Sequence, residues 1–421
     1  MTDSERLGLM ARCGRVFSPS APINKHELFA GRLGETQRII SAINTRGRHC
    51  VMYGERGVGK TSLANILKEL FADIEGMKFI KTNCVETDDF ESIWRRALSE
   101  IHVLSDTFPI DGETTPMETT LDQLIVDGRC GPGEVFQLLQ RNSNYDLELV
   151  VIFDEFDRLE EPERALFADT IKALSDDSVC TTLILVGVAR DVVDLIVEHA
   201  SIDRCIDQVL MPLMTDDELG EILSKATKAL EMTIRQDAKE LIVTLSQGLP
   251  HYTHLLGQES TLKAIANGRA IVTIDDVNEG TKEAISKSQQ TVRNDYHKAI
   301  AAQRKGTLFP QVLLACALAE IDELGYFSSS DVREPLRKIT GEDYDIPNYS
   351  QHLDKFSSDD DRGPVLEKRG GTRKFRFKFK NPLLRPFIIM KGLTDGVVSG
   401  DLVTKLRVAF SDSRKNQDNL S

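Results

Sequence analysis

Hydrophobic positions change period along the chain. Between residues 24 and 214, continuous apolar runs of strand length alternate with stretches whose apolar residues recur every three or four positions. The runs Val51–Tyr53, Lys78–Val85, Leu149–Phe153, Thr182–Gly187 and Ile206–Leu213 predict five strands. The run Leu149–Phe153 is continuously apolar, as suits a strand buried on both faces of a parallel sheet. Between them, Ile39/Ile40/Ile43, Leu63/Ile66/Leu67/Leu70/Phe71, a segment around Phe90–Leu104, and Leu166/Phe167/Ile171/Leu174 follow helical spacing. Strand–helix alternation predicts an α/β fold, a doubly wound five-stranded parallel sheet with its ligand at the carboxyl ends of the strands.

The pattern changes after 214. Thr215 and Glu218 form a capping box at the head of a helix. Helices around 216–230, 235–247, 251–267 and 274–290 follow from apolar spacing and predict a helical lid over 215–300. From Thr307 the pattern restarts. Helices over Val312–Ile321, Val332–Ile339 and Asn348–Phe356 precede two short strands, Val365–Arg369 and Arg373–Lys380, joined by Gly370-Gly371. Three helices and a hairpin predict a winged helix-turn-helix over 307–395. Residues 1–22 read as an N-terminal arm or first helix, 23–214 as the α/β domain, and 396–421 as a polar tail. The Gly/Pro/Thr-rich stretch 105–133 is too long for a simple connector. It reads as a surface loop, a mobile insertion or a partner-binding loop.

Composition narrows the class. The 421 residues are 41% apolar and 28% charged, an ordinary globular balance. No run approaches the roughly 18 apolar residues that a membrane span needs, and the first residues lack a signal-peptide pattern. The expectation is a soluble, cytoplasmic protein without membrane contact. Seven dispersed cysteines without a C-x-x-C pair read as buried thiols. The net charge of −14 argues against a surface built for non-specific nucleic-acid binding. Residues 362–391 depart from this, with ten Lys/Arg against one acid, a local +9 on a body of −23.

Two motifs carry the chemistry. Gly54-Glu55-Arg56-Gly57-Val58-Gly59-Lys60-Thr61, followed by Ser62, joins the first strand to a helix and matches the phosphate loop G-x-x-x-x-G-K-[ST] in its required context. Its backbone N–H groups and the helix N-terminus would cradle phosphates. Lys60 would reach the β/γ-phosphates, and the Thr61 hydroxyl would hold Mg²⁺. The third strand ends in Asp154-Glu155, 94 residues after Lys60. Asp154 is placed for Mg²⁺, and Glu155 is placed to polarise the attacking water. The cofactors expected are ATP and Mg²⁺.

With Phe29-Ala30-Gly31-Arg32 ahead of the loop and Asp154-Glu155-Phe156-Asp157-Arg158-Leu159 after it, residues 24–290 resemble AAA+ ATPases, most closely the origin-recognition/initiator clade. Gly248-Leu249-Pro250 also resembles the GxP element of the related STAND signalling NTPases. The resemblance implies that Phe29 and Arg32 lie beside the adenine, and that Pro250 and His251 contact nucleotide from the lid. It also implies that Arg204, before the fifth strand, acts as an arginine finger on a neighbouring subunit, with Arg190 as a second candidate; a surface salt bridge is the alternative. Two positions depart from the family pattern. Gly187-Val188-Ala189 stands where a polar sensor-1 residue is expected, and His251 stands near the sensor-2 arginine. Both departures point to slow hydrolysis.

In the predicted wing, Lys374, Arg376, Lys378 and Lys380 alternate with Phe375, Phe377 and Phe379. This predicts an aromatic face on the core and a free basic face suited to DNA phosphates, or a solvated edge strand. The third helix is not basic and is flanked by acids, so protein docking stays open beside DNA. Three functions compete: a DNA-associated AAA+ assembly switch that acts as a homo-oligomer, a STAND-type signalling or defence switch governed by ADP/ATP exchange, and a docking subunit with structural ATP.

Overall fold

The computed structural model describes residues 1–104, 118–125, 130–143, 147–189, 192–196, 202–301, 307–322, 324–359, 362–371 and 375–407. They form two compact units. One comprises Pro22–Glu55 with Gly59–Pro212; the other comprises Met1–Ala21, Arg56–Val58 and the chain from Leu213 onward. Helix α1 (Asp3–Val16) belongs to the second unit, so the first residues are no free arm.

The first unit holds α2 (Leu33–Ile43), β1 (His49–Gly54), α3 (Lys60–Leu70), β2 (Met77–Asn83), α4 (Phe90–Leu98), α5 (Pro132–Ser143), β3 (Glu148–Asp154), α6 (Glu161–Asp176), β4 (Thr181–Val188) and β5 (Ile206–Met211). The five strands form one parallel sheet in the order β2-β3-β4-β1-β5. The chain leaves β1 for the edge strand β2 and returns through β3 and β4 before crossing to β5. The carboxyl ends of β3, β4 and β1 therefore lie side by side, and Gly54 is opposite both Val188 and Met211.

Period-two alternation divides β3 between two environments. Leu149, Val151 and Phe153 enter a core with α4 and α6, leaving Val150, Ile152 and Asp154 on the opposite face. That core is aromatic: the Phe167 ring lies 4.9 Å from Phe153, 5.0 Å from Phe90, 5.0 Å from Phe156 and 6.0 Å from Trp94. The expected helix at 90–104 is shorter. It ends at Leu98, and His102–Leu104 pairs antiparallel with Glu118–Thr120. Helix α5 opens at Pro132, inside the stretch read as an insertion; residues 105–117 and 126–129 lie outside the described residues.

The second unit continues with α7 (Asp216–Ala229), α8 (Gln236–Ser246), α9 (Pro250–Ala266), α10 (Ile274–Lys287) and α11 (Gln290–Ile300), the helical lid. Thr215 caps α7 through the capping box. Helix α1 packs on α9, where Phe17, fully buried, sits over Gly257; a Cβ there would fall 2.5 Å from the Phe17 ring. Then come α12 (Phe309–Leu318), β6 (Phe327–Ser328), α13 (Arg333–Thr340), α14 (Ile346–Ser357), β7 (Leu366–Arg369), β8 (Arg376–Phe379) and α15 (Leu384–Thr394). The expected hairpin is part of a three-stranded antiparallel sheet, β6-β8-β7.

Helix α15 joins this module to the lid by packing on α8, α10 and α11. The Tyr252 hydroxyl on α9 donates to the Leu383 carbonyl (2.8 Å), and the Tyr296 and Phe387 rings meet edge-on at 5.4 Å. The expected polar tail from 396 is corrected over its first part. Residues 400–407 are helical, Val403 and Leu406 are buried, and Arg407 donates to the Val243 carbonyl (2.8 Å) and pairs with Asp216. Arg407 ties this short helix to the lid. Residues 408–421 lie outside the described residues.

Candidate nucleotide site

The loop between β1 and α3 is shaped by what can fit at Gly54. Its φ is +152°, and a Cβ would lie 2.4 Å from the Met211 carbonyl oxygen, so only glycine lets β1 approach β5 this closely. Gly57 and Gly59 carry the turn at positive φ. Arg56 is exposed and Val58 is buried. The Lys60 ammonium donates to the carbonyls of Gly54 (3.0 Å) and Glu55 (2.7 Å). Burial pulls its pKa down to about 8, against the opposing pull of Asp157 and Asp154.

Asp154 ends β3 and is buried on the face away from Phe153. Its Oδ1 accepts from the Glu155 N–H (2.9 Å) and, at the long distance of 3.4 Å, from the Thr61 hydroxyl. Its Oδ2 lies 2.9 Å from the Lys81 ammonium, close enough for an ion pair but without hydrogen-bond alignment. Glu155 takes a left-handed conformation (φ 58°) and pairs with Arg158 at 3.2 Å. For a non-glycine residue this backbone costs about 1–3 kcal/mol. The turn redirects the chain at the motif's second carboxylate.

At the end of β4, the Val188 N–H donates to Asp157 Oδ1 (2.7 Å). A Cβ on Gly187 would meet Leu195 at 2.6 Å and Asp157 Oδ1 at 3.1 Å. The Asp157 carboxylate thus fills the space a larger side chain at Gly187 would need, and it ties the ends of β3 and β4 together. In the sequence Asp157 stands only as one member of a motif, and Lys81 stands outside every motif. No local pattern marks Lys81, whose role follows from the β2–β3 register.

A family model described as Novel STAND NTPase 1 matches residues 22–306. The chain belongs to this STAND NTPase family. No curated protein matches it. Among solved structures, the Walker-type ATPase PABY2304 of Pyrococcus abyssi is 16% identical, over 89% of this chain and 99% of that one, with a TM-score of 0.52. Cdc6p from Pyrobaculum aerophilum is 18% identical, over 92% and 99%, with a TM-score of 0.47. The ORC1 protein of Aeropyrum pernix, solved in complex with DNA, is 15% identical, over 89% and 95%, with a TM-score of 0.45. The strand order and the helical lid are those of an AAA+-type P-loop NTPase.

Other expected site residues of this STAND NTPase are placed as follows. Residues 23–26 run along α3: the Ile23 N–H donates to the Ser62 hydroxyl (3.1 Å), and the His26 N–H donates to Glu69 (2.7 Å). Ser62 therefore anchors the segment that leads to half-buried Phe29. Arg32 has structural partners. It is buried at φ 62°, donates to the Pro212 carbonyl (2.6 Å) and pairs with Glu35 (3.0 Å), fixing the start of α2 to the end of β5. Pro250 opens α9. His251 Nδ1 lies 2.7 Å from the Pro19 carbonyl, so this ring fastens the end of the N-terminal segment to α9. Burial holds the His251 pKa below the usual histidine value.

Arg204 is exposed and pairs with Asp176 at 2.6 Å, the surface salt bridge left open above. It precedes β5, whereas Gly54 is level with that strand's last residue. A six-residue strand spans about 20 Å, so Arg204 and its own phosphate loop lie at opposite ends of the strands. Arg190, the second candidate, lies outside the described residues.

The free basic face of the wing is corrected as well. Lys378 is buried, its ammonium 5.4 Å from the centre of the Tyr326 ring, and burial lowers its pKa to about 8. Arg376 pairs with Asp322 (3.0 Å), Lys368 with Asp354 (2.7 Å) and Arg369 with Glu367 (2.6 Å). Lys380 is exposed, and Lys374 lies outside the described residues. On the helices, Arg333 pairs with Asp343 and Asp345, and Arg337 and Lys338 pair with Glu334.

The chemistry at the sheet edge fits a nucleoside triphosphate and a divalent cation. Asp154 Oδ2 is a buried carboxylate oxygen with no aligned hydrogen bond among the described residues, and Thr61 reaches the other oxygen only loosely. Two hard oxygen donors beside a glycine loop are what Mg²⁺ with phosphates takes. Such an ion supplies positive charge to the phosphates when bound. Thr61 and Asp154 would hold it, and Lys60 would add charge of the same sign.

Proposed function

We propose that this STAND NTPase binds ATP with Mg²⁺ and hydrolyses it slowly, using the bound nucleotide as a marker of state for assembly. The observation that carries this reading is the convergence of Lys60, Thr61, Asp154 and Glu155 at one sheet edge, beside a β4 end with no polar side chain. Lys60 binds phosphate, Thr61 and Asp154 hold Mg²⁺, and Glu155 polarises water. Val188 is exposed and apolar where a water-orienting group would stand, which supports slow turnover. Arg204 acts on a neighbouring copy, because its own phosphate loop is a strand length away.

The C-terminal module engages a protein partner. Ion pairs engage Arg333, Lys368, Arg369 and Arg376 on the described wing and helices, and Lys378 is buried. Phosphate binding would have to break those pairs. The test is threefold. Purified protein retains ADP and forms oligomers after exchange for ATP. Glu155→Gln abolishes a turnover that is slow in the parent protein. Duplex DNA does not bind at low salt. Unchanged turnover in Glu155→Gln removes the hydrolysis assignment. Salt-sensitive DNA binding that is lost on reversing Arg376 and Lys380 restores the DNA reading.

A further inference from the structure

We propose that Lys81 is a built-in rival of the divalent cation at Asp154, setting how strongly nucleotide binding depends on Mg²⁺. The inference rests on the nucleotide reading of the site. Asn83 is opposite Asp154 in the β2–β3 register, and Lys81 is opposite Ile152. Because side chains two apart share a face, Lys81, Asn83 and Asp154 stand on one face of the sheet. The Lys81 ammonium lies 2.9 Å from Asp154 Oδ2 and 3.0 Å from Asn83 Oδ1. The Lys81 side chain is 12% exposed and that of Asp154 is 3% exposed, so water screens the pair poorly.

The oxygen that Lys81 faces is the one with no aligned hydrogen bond, and therefore the one offered to a metal. An ammonium and a divalent cation held against one buried carboxylate repel each other strongly. Lysine's flexible four-carbon stem lets the ammonium withdraw toward Asn83 without moving the backbone. Two effects follow. Lys81 weakens Mg²⁺ at this site. It also neutralises Asp154 toward the phosphates when nucleotide arrives without metal. Nucleotide exchange then depends less on metal than it would beside a bare carboxylate.

The experiment compares ATP binding to the full chain by calorimetry in excess Mg²⁺ and in EDTA. The quantity read is the ratio of the two dissociation constants. In Lys81→Met, the constant in Mg²⁺ falls and the constant in EDTA rises, so the ratio increases by about tenfold or more; Lys81→Arg keeps the parental ratio. An unchanged or smaller ratio in Lys81→Met, with ATP still bound, overturns the proposal and leaves the nucleotide reading intact. Failure of the parent protein to bind ATP in either buffer overturns both. If Lys81→Met does not fold, Lys81→Gln, with an uncharged polar tip, takes its place. If neither folds, NMR of the parent labelled with carbon-13 at its lysines decides: a Lys81 resonance that shifts when Mg²⁺ joins bound ATP supports the rivalry, and an unmoved one ends it.

Discussion

Lys60 should make ATP affinity depend on pH between about 7 and 9. In the free protein, burial places its pKa at about 8. Phosphate oxygens against the ammonium would return it toward the ordinary lysine value of about 10.4. Binding above pH 8 must therefore take up a proton, and affinity falls by the factor 1 + 10^(pH − 8). Between pH 7 and pH 9 that is about tenfold, or about 1.4 kcal/mol. Calorimetric titration with Mg·ATP across this range, in two buffers of different ionisation enthalpy, reads both the affinity and the proton uptake. Lys60→Arg, which does not titrate, gives the baseline. A flat profile, or the same slope in Lys60→Arg, would falsify the assignment of the titration to Lys60. Stability follows with its own sign. Because the folded pKa lies below the unfolded one, the charged form is penalised in the fold. The penalty is full below pH 8 and fades as pH climbs toward 10.5. The nucleotide-free protein gains stability across that window, by about 3 kcal/mol at most from this group.

Three further outcomes are expected. Phe167→Ala empties the centre of a ring cluster with Trp94, Phe90, Phe153 and Phe156 and costs about 3–5 kcal/mol in urea denaturation; a loss under about 1 kcal/mol would mean that this core is loosely packed. Gly54→Ala drives a methyl group to 2.4 Å from the Met211 carbonyl, so thermal stabilisation by ATP should vanish while far-ultraviolet circular dichroism persists. Phe17→Ala removes the ring seated over Gly257 and should speed proteolytic cleavage near residues 17–25 several-fold; cleavage at the parental rate would show that the His251–Pro19 contact suffices to hold the segment.

The sheet and its motifs were legible because continuous apolar runs ending in glycine or paired carboxylates admit few other readings. Elements without a one-sided pattern were not. Helix α15 comes from the unbroken run Phe387–Met390 and neighbouring apolar residues, because it is covered both by its own module and by the lid. The wing misled for a related reason. Alternation of Phe with Lys/Arg suggests a strand with one solvated face, but β8 is the central strand of three, and Tyr326 covers Lys378. Lys81 was illegible because its partner is 73 positions away and is fixed only by strand register. Arg32 reads as a motif residue in the sequence; its engagement with Pro212, across 180 positions, appears only once the chain has folded.

The packing of α15 and of residues 400–407 on the lid also bears on how a signal could leave the molecule. Module and lid meet through the Tyr296 and Phe387 rings and are cross-linked by Tyr252 and Arg407. They are not beads on a string whose orientations average out. A small rotation of α7–α10 would swing the outer face of α14 as a lever swings its tip. A partner docked there would read the change as a displacement, and output by release would first require this shared core to be broken.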